Sequence, residues 1–221
     1  MEYTFKPIGY IRTDFPDKFG IPRQSCLVPG LEGRIVLEKE YASPEAIRGL
    51  DGYSHIWVVW AFSGSEPLKG LTVRPPRLGG NRRVGVFATR SPVRPNPIGL
   101  SVVRLVGIEG TDLIVEGADM VDGTPILDIK PYLAYSDSVP DAACGFAEEG
   151  LGHRLNVGLS EELAALIPEN RKAAVLGILA RDPRPAYHDD PERIYGIRFA
   201  GMDIKFKVEG GLLTVTAIDR L

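Results

Sequence analysis

The stretch Tyr53-Ser54-His55-Ile56-Trp57-Val58-Val59-Trp60-Ala61-Phe62 is aromatic and β-branched along most of its length. That composition predicts a strand buried on both faces. Trp57 and Trp60 read as core, and His55 as a hydrogen-bonded core histidine rather than a catalyst. Ile56 to Phe62 is also the longest purely apolar run, far short of the roughly 20 residues that cross a bilayer.

On either side lie further short segments of the same kind. Phe5 to Ile11 reads as a strand ending at the turn Arg12-Thr13-Asp14, and Gly33 to Glu38 alternates with Ile35 and Leu37 on one face. Ser43 to Leu50 suits a helical turn, with Ser43 as cap and Pro44 at the first helical position. Arg83 to Ala88, Gly99 to Ile108, Asp112 to Gly117 and Thr124 to Lys130 are strand candidates separated by Gly, Asn, Asp or Pro. Many short strands with little helix predict a mainly β fold, a barrel or a sandwich.

The composition changes after about residue 140. Val139 to Asn156 reads as a linker, Ser160 begins a helical pattern that restarts at Pro168, and Asp182-Pro183-Arg184-Pro185 stops it. From Ile194, three alternating segments separated by Ala200-Gly201 and Gly210-Gly211 predict a small antiparallel meander. The expected organisation is therefore a β-rich domain over 1–140 and a smaller α+β domain over 150–221.

In 221 residues there are 25 Gly and 18 Pro, an excess of turn formers that fits short strands and shaped loops. The net charge of −3 projects no overall positive field, so any nucleic-acid surface must be local. Cys26 and Cys144, with His55, His153 and His188, lack metal-ligand spacing, which argues for a reduced protein without a structural metal. The N-terminus has no basic-then-apolar signal pattern, and cytoplasmic localisation without a membrane is expected. Neither a strand–GxGxxG–helix nor a GxxxxGK[ST] string is present, so no Rossmann site or P-loop is supported.

Pro67 to Ile108 is the most unusual segment. It holds no Asp or Glu but eight cations: Lys69, Arg74, Arg77, Arg82, Arg83, Arg90, Arg94 and Arg104. Arg dominates, and its planar fork suits phosphate. Two readings stay open: a solvated face whose cations pair with acids elsewhere, or a phosphate-contact surface weakened steeply by salt. Inside it, Pro92, Pro95 and Pro97 stiffen the loop carrying Arg90 and Arg94, so less order is lost on binding an anion. A second concentration of polar residues is Asp119-Met120-Val121-Asp122-Gly123-Thr124-Pro125, followed by Asp128-Ile129-Lys130-Pro131-Tyr132. Asp122-Gly123 is a turn signal, and an acid here could accept from a ribose or an amine.

Several ordered strings together resemble the TrmO (TsaA-like) tRNA methyltransferases. They are Phe19-Gly20-Ile21-Pro22-Arg23-Gln24, Gly49 to Trp57, Val73 to Asn81, Gly85 to Ser91, Arg94-Pro95-Asn96-Pro97-Ile98-Gly99 and Val121 to Pro125. Asp128 to Tyr132 and Ala180 to Tyr187 look like that family too. The resemblance implies an N-terminal β-barrel, S-adenosylmethionine as cofactor, and a homodimer with the cofactor near the subunit interface. It implies N6-methylation of N6-threonylcarbamoyladenosine next to the anticodon of tRNA. A non-catalytic RNA-binding module and a small-molecule methyltransferase of the same fold remain as alternatives.

Carried over by motif, the cofactor contacts would be Pro22, Arg23, Gln24, Ser63, Gly64, Arg90, Leu100, Asp122, Gly123, Thr124 and Pro125. Arg23 and Arg90 suit the methionine carboxylate, and Asp122 the ribose hydroxyls or the amino group. Methyl transfer needs nitrogen, carbon and sulfur in line within about 3–3.5 Å. The acceptor nitrogen is delocalised, so a general base is expected, with Asp128, Asp182 and Tyr132 as candidates. Arg74, Arg77, Arg82, Arg83, Arg94 and Arg184 would grip the anticodon arm, read through shape and single-stranded bases.

Overall fold

The computed structural model describes residues 3–64, 70–75, 82–149, 152–184 and 190–221. Arg77 and Lys69 lie outside them. In chain order the strands begin with β1 (Gly9–Thr13), β2 (Glu32–Leu37), β3 (His55–Ala61), β4 (Thr72–Val73) and β5 (Val84–Gly85). Next come β6 (Ile98–Glu109), β7 (Asp112–Glu116), β8 (Thr124–Pro131) and the short helix α1 (Ala134–Asp137). Then follow β9 (Asn156–Gly158), α2 (Glu161–Ala164), α3 (Glu169–Ala180), β10 (Tyr195–Phe199), β11 (Met202–Glu209) and β12 (Leu212–Arg220).

Six strands close into a barrel in the order β1-β2-β7-β6-β3-β8, with β8 returning to β1 through Gly9↔Ile126 and Ile11↔Thr124. All the pairings are antiparallel. The barrel is filled by alternate residues: Ile11, Ile35, Ile56, Val58, Val103, Leu113, Val115 and Ile126 are fully buried. Removing each such side chain from water contributes roughly 1.5–3 kcal/mol, and this shared inner core stabilises the closed barrel.

β3 departs from the expectation of burial on both faces. Ile56, Val58 and Trp60 point inward, while His55, Trp57 and Val59 are half-buried. Trp57 donates its indole N–H to Asp137 Oδ2 at 2.8 Å, and His55 Nδ1 lies 2.9 Å from Ser54 Oγ. Neither is a core residue, because a barrel strand has only one inner face.

Other boundaries also moved. The first strand runs Gly9–Thr13 rather than Phe5 to Ile11, because Arg12 and Thr13 pair with Arg34 and Gly33. Ser43 to Leu50 forms turns, with Ser43 Oγ accepting from Glu45 N, and a short 3₁₀ turn follows at Leu50–Gly52. Of Arg83 to Ala88 only Val84–Gly85 is strand; Val86–Ala88 coils into a 3₁₀ turn. At the last residue of the stretch read as a linker begins β9, a three-residue strand parallel to β12, too short to show a pattern of its own.

The second unit is a four-stranded sheet, β10-β11-β12-β9, packed against α3. Ser160 caps α2 by accepting from Leu163 N, and Pro168 precedes the first residue of α3. Phe15, Val28 and Leu31, from the segment between β1 and β2, join this second core, where Phe15 and Phe199 rings lie 4.9 Å apart. The segment is held at both ends. Ala200 N donates to Asp14 O, and Arg181 Nε donates to Leu27 O.

Candidate functional site

Antiparallel pairing fixes which residues share a rim of the barrel. The ends of β1, β3 and β7 lie beside the starts of β2, β6 and β8. Ser63 and Gly64 therefore leave β3 at the same rim where Leu100 enters β6 and Asp122 to Pro125 open β8. Phe62 N donates to Pro97 O, which ties the exit of β3 to the proline-rich loop ahead of β6. That loop carries Arg90, and Arg90 Nη1 donates to Gln24 Oε1, bringing the Pro22–Gln24 segment to the same place. Pro22 is buried, whereas Arg23 is exposed. The eleven candidate cofactor residues are thus on or above one rim.

The aspartyl turn is built by backbone bonds. Asp122 N donates to Phe15 O and Gly123 N to Ile11 O, both at 2.8 Å. Gly123 is needed for its φ of 75°, a left-handed conformation that costs other residues energy. Asp122 Oδ1 accepts from Thr13 N at 3.0 Å, and Arg12 Nη1 lies 3.4 Å from Oδ2. A carboxylate has further lone pairs, so Asp122 can still accept from a hydroxyl or an amine. Thr124 is buried and caps the turn by donating to Val121 O.

Beneath these groups runs a polar chain that the sequence did not single out. Trp60 Nε1 donates to Ser101 Oγ at 3.0 Å, and Ser101 Oγ donates to Asp119 Oδ1 at 2.6 Å. Burial pushes the Asp119 carboxyl up to about 6, against the opposing pull of Ser101, its own N–H, the Arg90 guanidinium and Ser25 N–H. The aspartyl string was visible beforehand, but not the desolvation that sets Asp119 apart from Asp122.

The three general-base candidates are not brought together. Tyr132 follows the far end of β8, where its N–H donates to His55 O. That is roughly 26 Å along the strand direction from Ser63, at about 3.3 Å per residue. Asp182 lies beyond α3, where Arg184 grips it at 2.8 Å on each oxygen and holds its carboxyl below the usual range despite burial. Asp128 is placed differently. Val59 pairs with Leu100 on one side and Asp128 on the other, so the three form one row on the outer face. Two strand spacings, about 10 Å, separate Asp128 from Leu100.

The arginines divide as well. Arg74, Arg82 and Arg83 are exposed around the β4–β5 hairpin. Arg83 donates to Thr72 Oγ1, and Arg82 lies 3.9 Å from Glu149. Arg94 is half-buried and braces its own loop by donating to Thr89 O at 3.1 Å. Arg104 pairs with Glu116 at 3.3 Å, and Arg184 is engaged by Asp182. Acids from elsewhere in the chain thus reach part of the acid-free stretch. An open depression of about 710 Å³ lined by Lys6, Tyr10, Glu38 and Tyr41 lies at the other rim, away from the candidate groups.

A closed antiparallel barrel that gathers an arginine, an amide and an aspartyl turn at one rim defines a class of barrel proteins with a polar ligand site outside any parallel nucleotide-binding sheet. Within that class the chain belongs to the TrmO family. Residues 10–138 match the tRNA-methyltransferase O N-terminal domain, and residues 153–221 the TrmO C-terminal domain. The Escherichia coli protein named tRNA (adenine(37)-N6)-methyltransferase is 38% identical over 232 residues, covering 98% of each chain. A Pseudomonas aeruginosa relative, 44% identical over 220 residues and 92% of each chain, is provisionally named an S-adenosylmethionine-dependent methyltransferase. The crystal structure of TrmO from P. aeruginosa superposes with a TM-score of 0.83 at 37% identity, covering 100% of this chain and 98% of that one.

Proposed function

We propose that this chain transfers a methyl group from S-adenosylmethionine to N6 of adenosine 37 in tRNA, on a nucleoside already carrying N6-threonylcarbamoyl. The observation that carries the reading is the family match over both halves of the chain, with every candidate cofactor residue on one rim. The residues there fit the group: a guanidinium at Arg90 for a carboxylate, and a carboxylate at Asp122 for hydroxyls or an ammonium. Residues 1–140 are the cofactor-binding catalytic part, and 150–221 assist tRNA binding.

S-adenosylmethionine, when bound, supplies an electrophilic methyl on a sulfonium. The chain's own residues supply placement. Arg90 and Arg23 orient the donor's carboxylate end, and the Asp122 to Pro125 turn fixes its nucleoside. The acceptor N–H must lose a proton as its nitrogen gains the methyl. Asp128 is the base candidate best supported by position, in the row with Leu100 on the outer face.

The exposed Arg74, Arg82 and Arg83, with Phe87 and Leu71 standing out beside them, form the tRNA-contacting face. Arg-rich surfaces with an exposed ring suit single-stranded loops, whose bases can stack. The chain acts as a cytoplasmic homodimer. Ile98, Leu100 and Val106 expose apolar side chains on the outer face of β6, which supports a subunit contact there.

Incubation with methyl-labelled S-adenosylmethionine and tRNA bearing or lacking the threonylcarbamoyl group tests the reading. Label is expected in the modified adenosine alone. Donor binding by a folded protein with no transfer to either tRNA would refute the activity, and equal labelling of both tRNAs would refute the substrate.

A further inference from the structure

The loop that presents Arg90 has little backbone framework of its own. Pro92, Pro95 and Pro97 lack amide donors, and among the described residues no backbone-to-backbone hydrogen bond engages residues 90–95. Its shape rests on side chains. Thr89 is seated on the buried Val86, donating to Val86 O from its N–H at 3.1 Å and from its hydroxyl at 2.8 Å. Thr89 Oγ1 accepts from Ser91 N, and Ser91 Oγ from Val93 N, both at 3.3 Å. The half-buried Arg94 then reaches back and donates from Nη1 to Thr89 O at 3.1 Å. That carbonyl belongs to the peptide unit whose N–H is that of Arg90. Because the unit is planar, holding Thr89 O also holds the N and Cα of Arg90.

We propose that Arg94 is a positioning residue: its guanidinium closes the Thr89–Arg94 loop through Thr89 O and so aims the exposed Arg90 guanidinium at Gln24 and at the donor's carboxylate. The inference rests on the reading of this rim as the S-adenosylmethionine site. The Ser91 and Val93 bonds are neutral and at the long end of the hydrogen-bond range. The Arg94 bond is charge-assisted and spans the whole loop, so it is the strongest of the three closures. Without it Arg90 still has Gln24 as a partner. The peptide ahead of it is then free to turn, and every added orientation of the side chain dilutes the one that meets a carboxylate. Nη1 of Arg94 is directed at the chain's own backbone, which suits a brace rather than a grip on tRNA phosphate.

The test compares wild type, R94A, R90A and the double variant by calorimetric titration with S-adenosylmethionine, by tRNA binding over a range of salt and by amide hydrogen exchange. R94A is expected to bind the donor about tenfold more weakly, while the salt slope of tRNA binding stays that of wild type. In the R90A background the same change should weaken donor binding by less than about twofold, because the effect runs through Arg90. Exchange should rise about fivefold at Ser91 and Val93 and not in β3 or β6. R94K returns a donor without the rigid fork, so it should recover part of the affinity, and it serves in the same cycle if R94A does not fold. Equal losses of donor affinity with and without Arg90 overturn the inference, as does exchange raised throughout the barrel. Unchanged donor affinity with a salt slope lowered by about 1 also overturns it and assigns Arg94 to tRNA. If the wild type itself binds no donor while Ser91 and Val93 still loosen in R94A, the cofactor reading falls and the closure of the loop by Arg94 stands.

Discussion

The Trp60 indole fills the space that a side chain at Gly99 would need. The two residues pair across β3 and β6, and a β-carbon on Gly99 would stand 2.2 Å from Trp60 Cε2. Trp60 is held there by its bond to Ser101, so the ring has no cheap way to yield.

Gly99→Ala is therefore expected to destabilise the protein by about 1–3 kcal/mol through overpacking. Urea denaturation measures it. Gly85→Ala is the control, because a β-carbon there meets nothing within 4 Å and the backbone φ is −59°. Equal stability of the two variants would mean that Trp60 does not wall in Gly99.

Arg171 on α3 joins the second unit to the barrel rim. Its Nε lies 2.8 Å from Asp14 Oδ2 and its Nη1 2.7 Å from Glu32 Oε2. Burial raises the Asp14 carboxyl, and Arg171 is what opposes that. Arg171→Ala should lower stability by about 1–3 kcal/mol, chiefly by stranding Asp14. Glu32 is exposed enough to be solvated. Lys in place of Arg should recover only part, since it cannot fork between two carboxylates. Thermal unfolding of the three proteins decides it; an Ala variant within 0.5 kcal/mol of wild type (about the spread of neutral surface changes) would remove the role.

The pH dependence of D119N relative to wild type has a definite sign. The folded-state value of about 6 lies above the unfolded value near 3.8, so the folded protein binds more protons between them. Wild type should lose stability from this group as pH rises from about 4 to about 6, and lose no more above. D119N, lacking the group, should gain on wild type across that window and match or exceed it at neutral pH. Denaturation midpoints at half-unit pH steps read the difference directly. A constant gap from pH 4 to 7 would show that Asp119 is well solvated.

Two arginines should separate the two ligands. Arg90→Ala is expected to weaken S-adenosylmethionine binding tenfold or more, by roughly 1.4 kcal/mol or above, with little change in the salt dependence of tRNA binding. Arg74→Ala should leave donor affinity alone, weaken tRNA binding and lower its salt slope by about 1. Titrations with each ligand over a range of salt check both. Identical behaviour of the two variants would dissolve the division between rim and hairpin.

Strand content was legible because a half-buried strand must alternate. Gly99 to Ile108 and Thr124 to Lys130 were placed to within a residue or two. β9 was not, since three residues paired to β12 carry no period of their own. The stretch from Phe15 to Leu31 gave no hint that it would leave the barrel for the second core, because its partners lie more than a hundred residues away. The arginine string showed where cations were, not which acids would reach them: Glu116 meets Arg104 across strands, and Glu149 approaches Arg82 from beyond α1.

The amino-acid order alone determined the alternation, the turn residues and the family, because those depend on local chemistry and on strings of neighbouring residues. Only the tertiary structure decided that β8 closes on β1, that Arg90, Gln24 and the Asp122 turn share a rim while Tyr132 stands at the other, and that Asp119 is partly desolvated. Each of these follows from pairing and burial between distant parts of the chain. Neither a long-range pairing nor the desolvation of a carboxylate is written in the residues beside it.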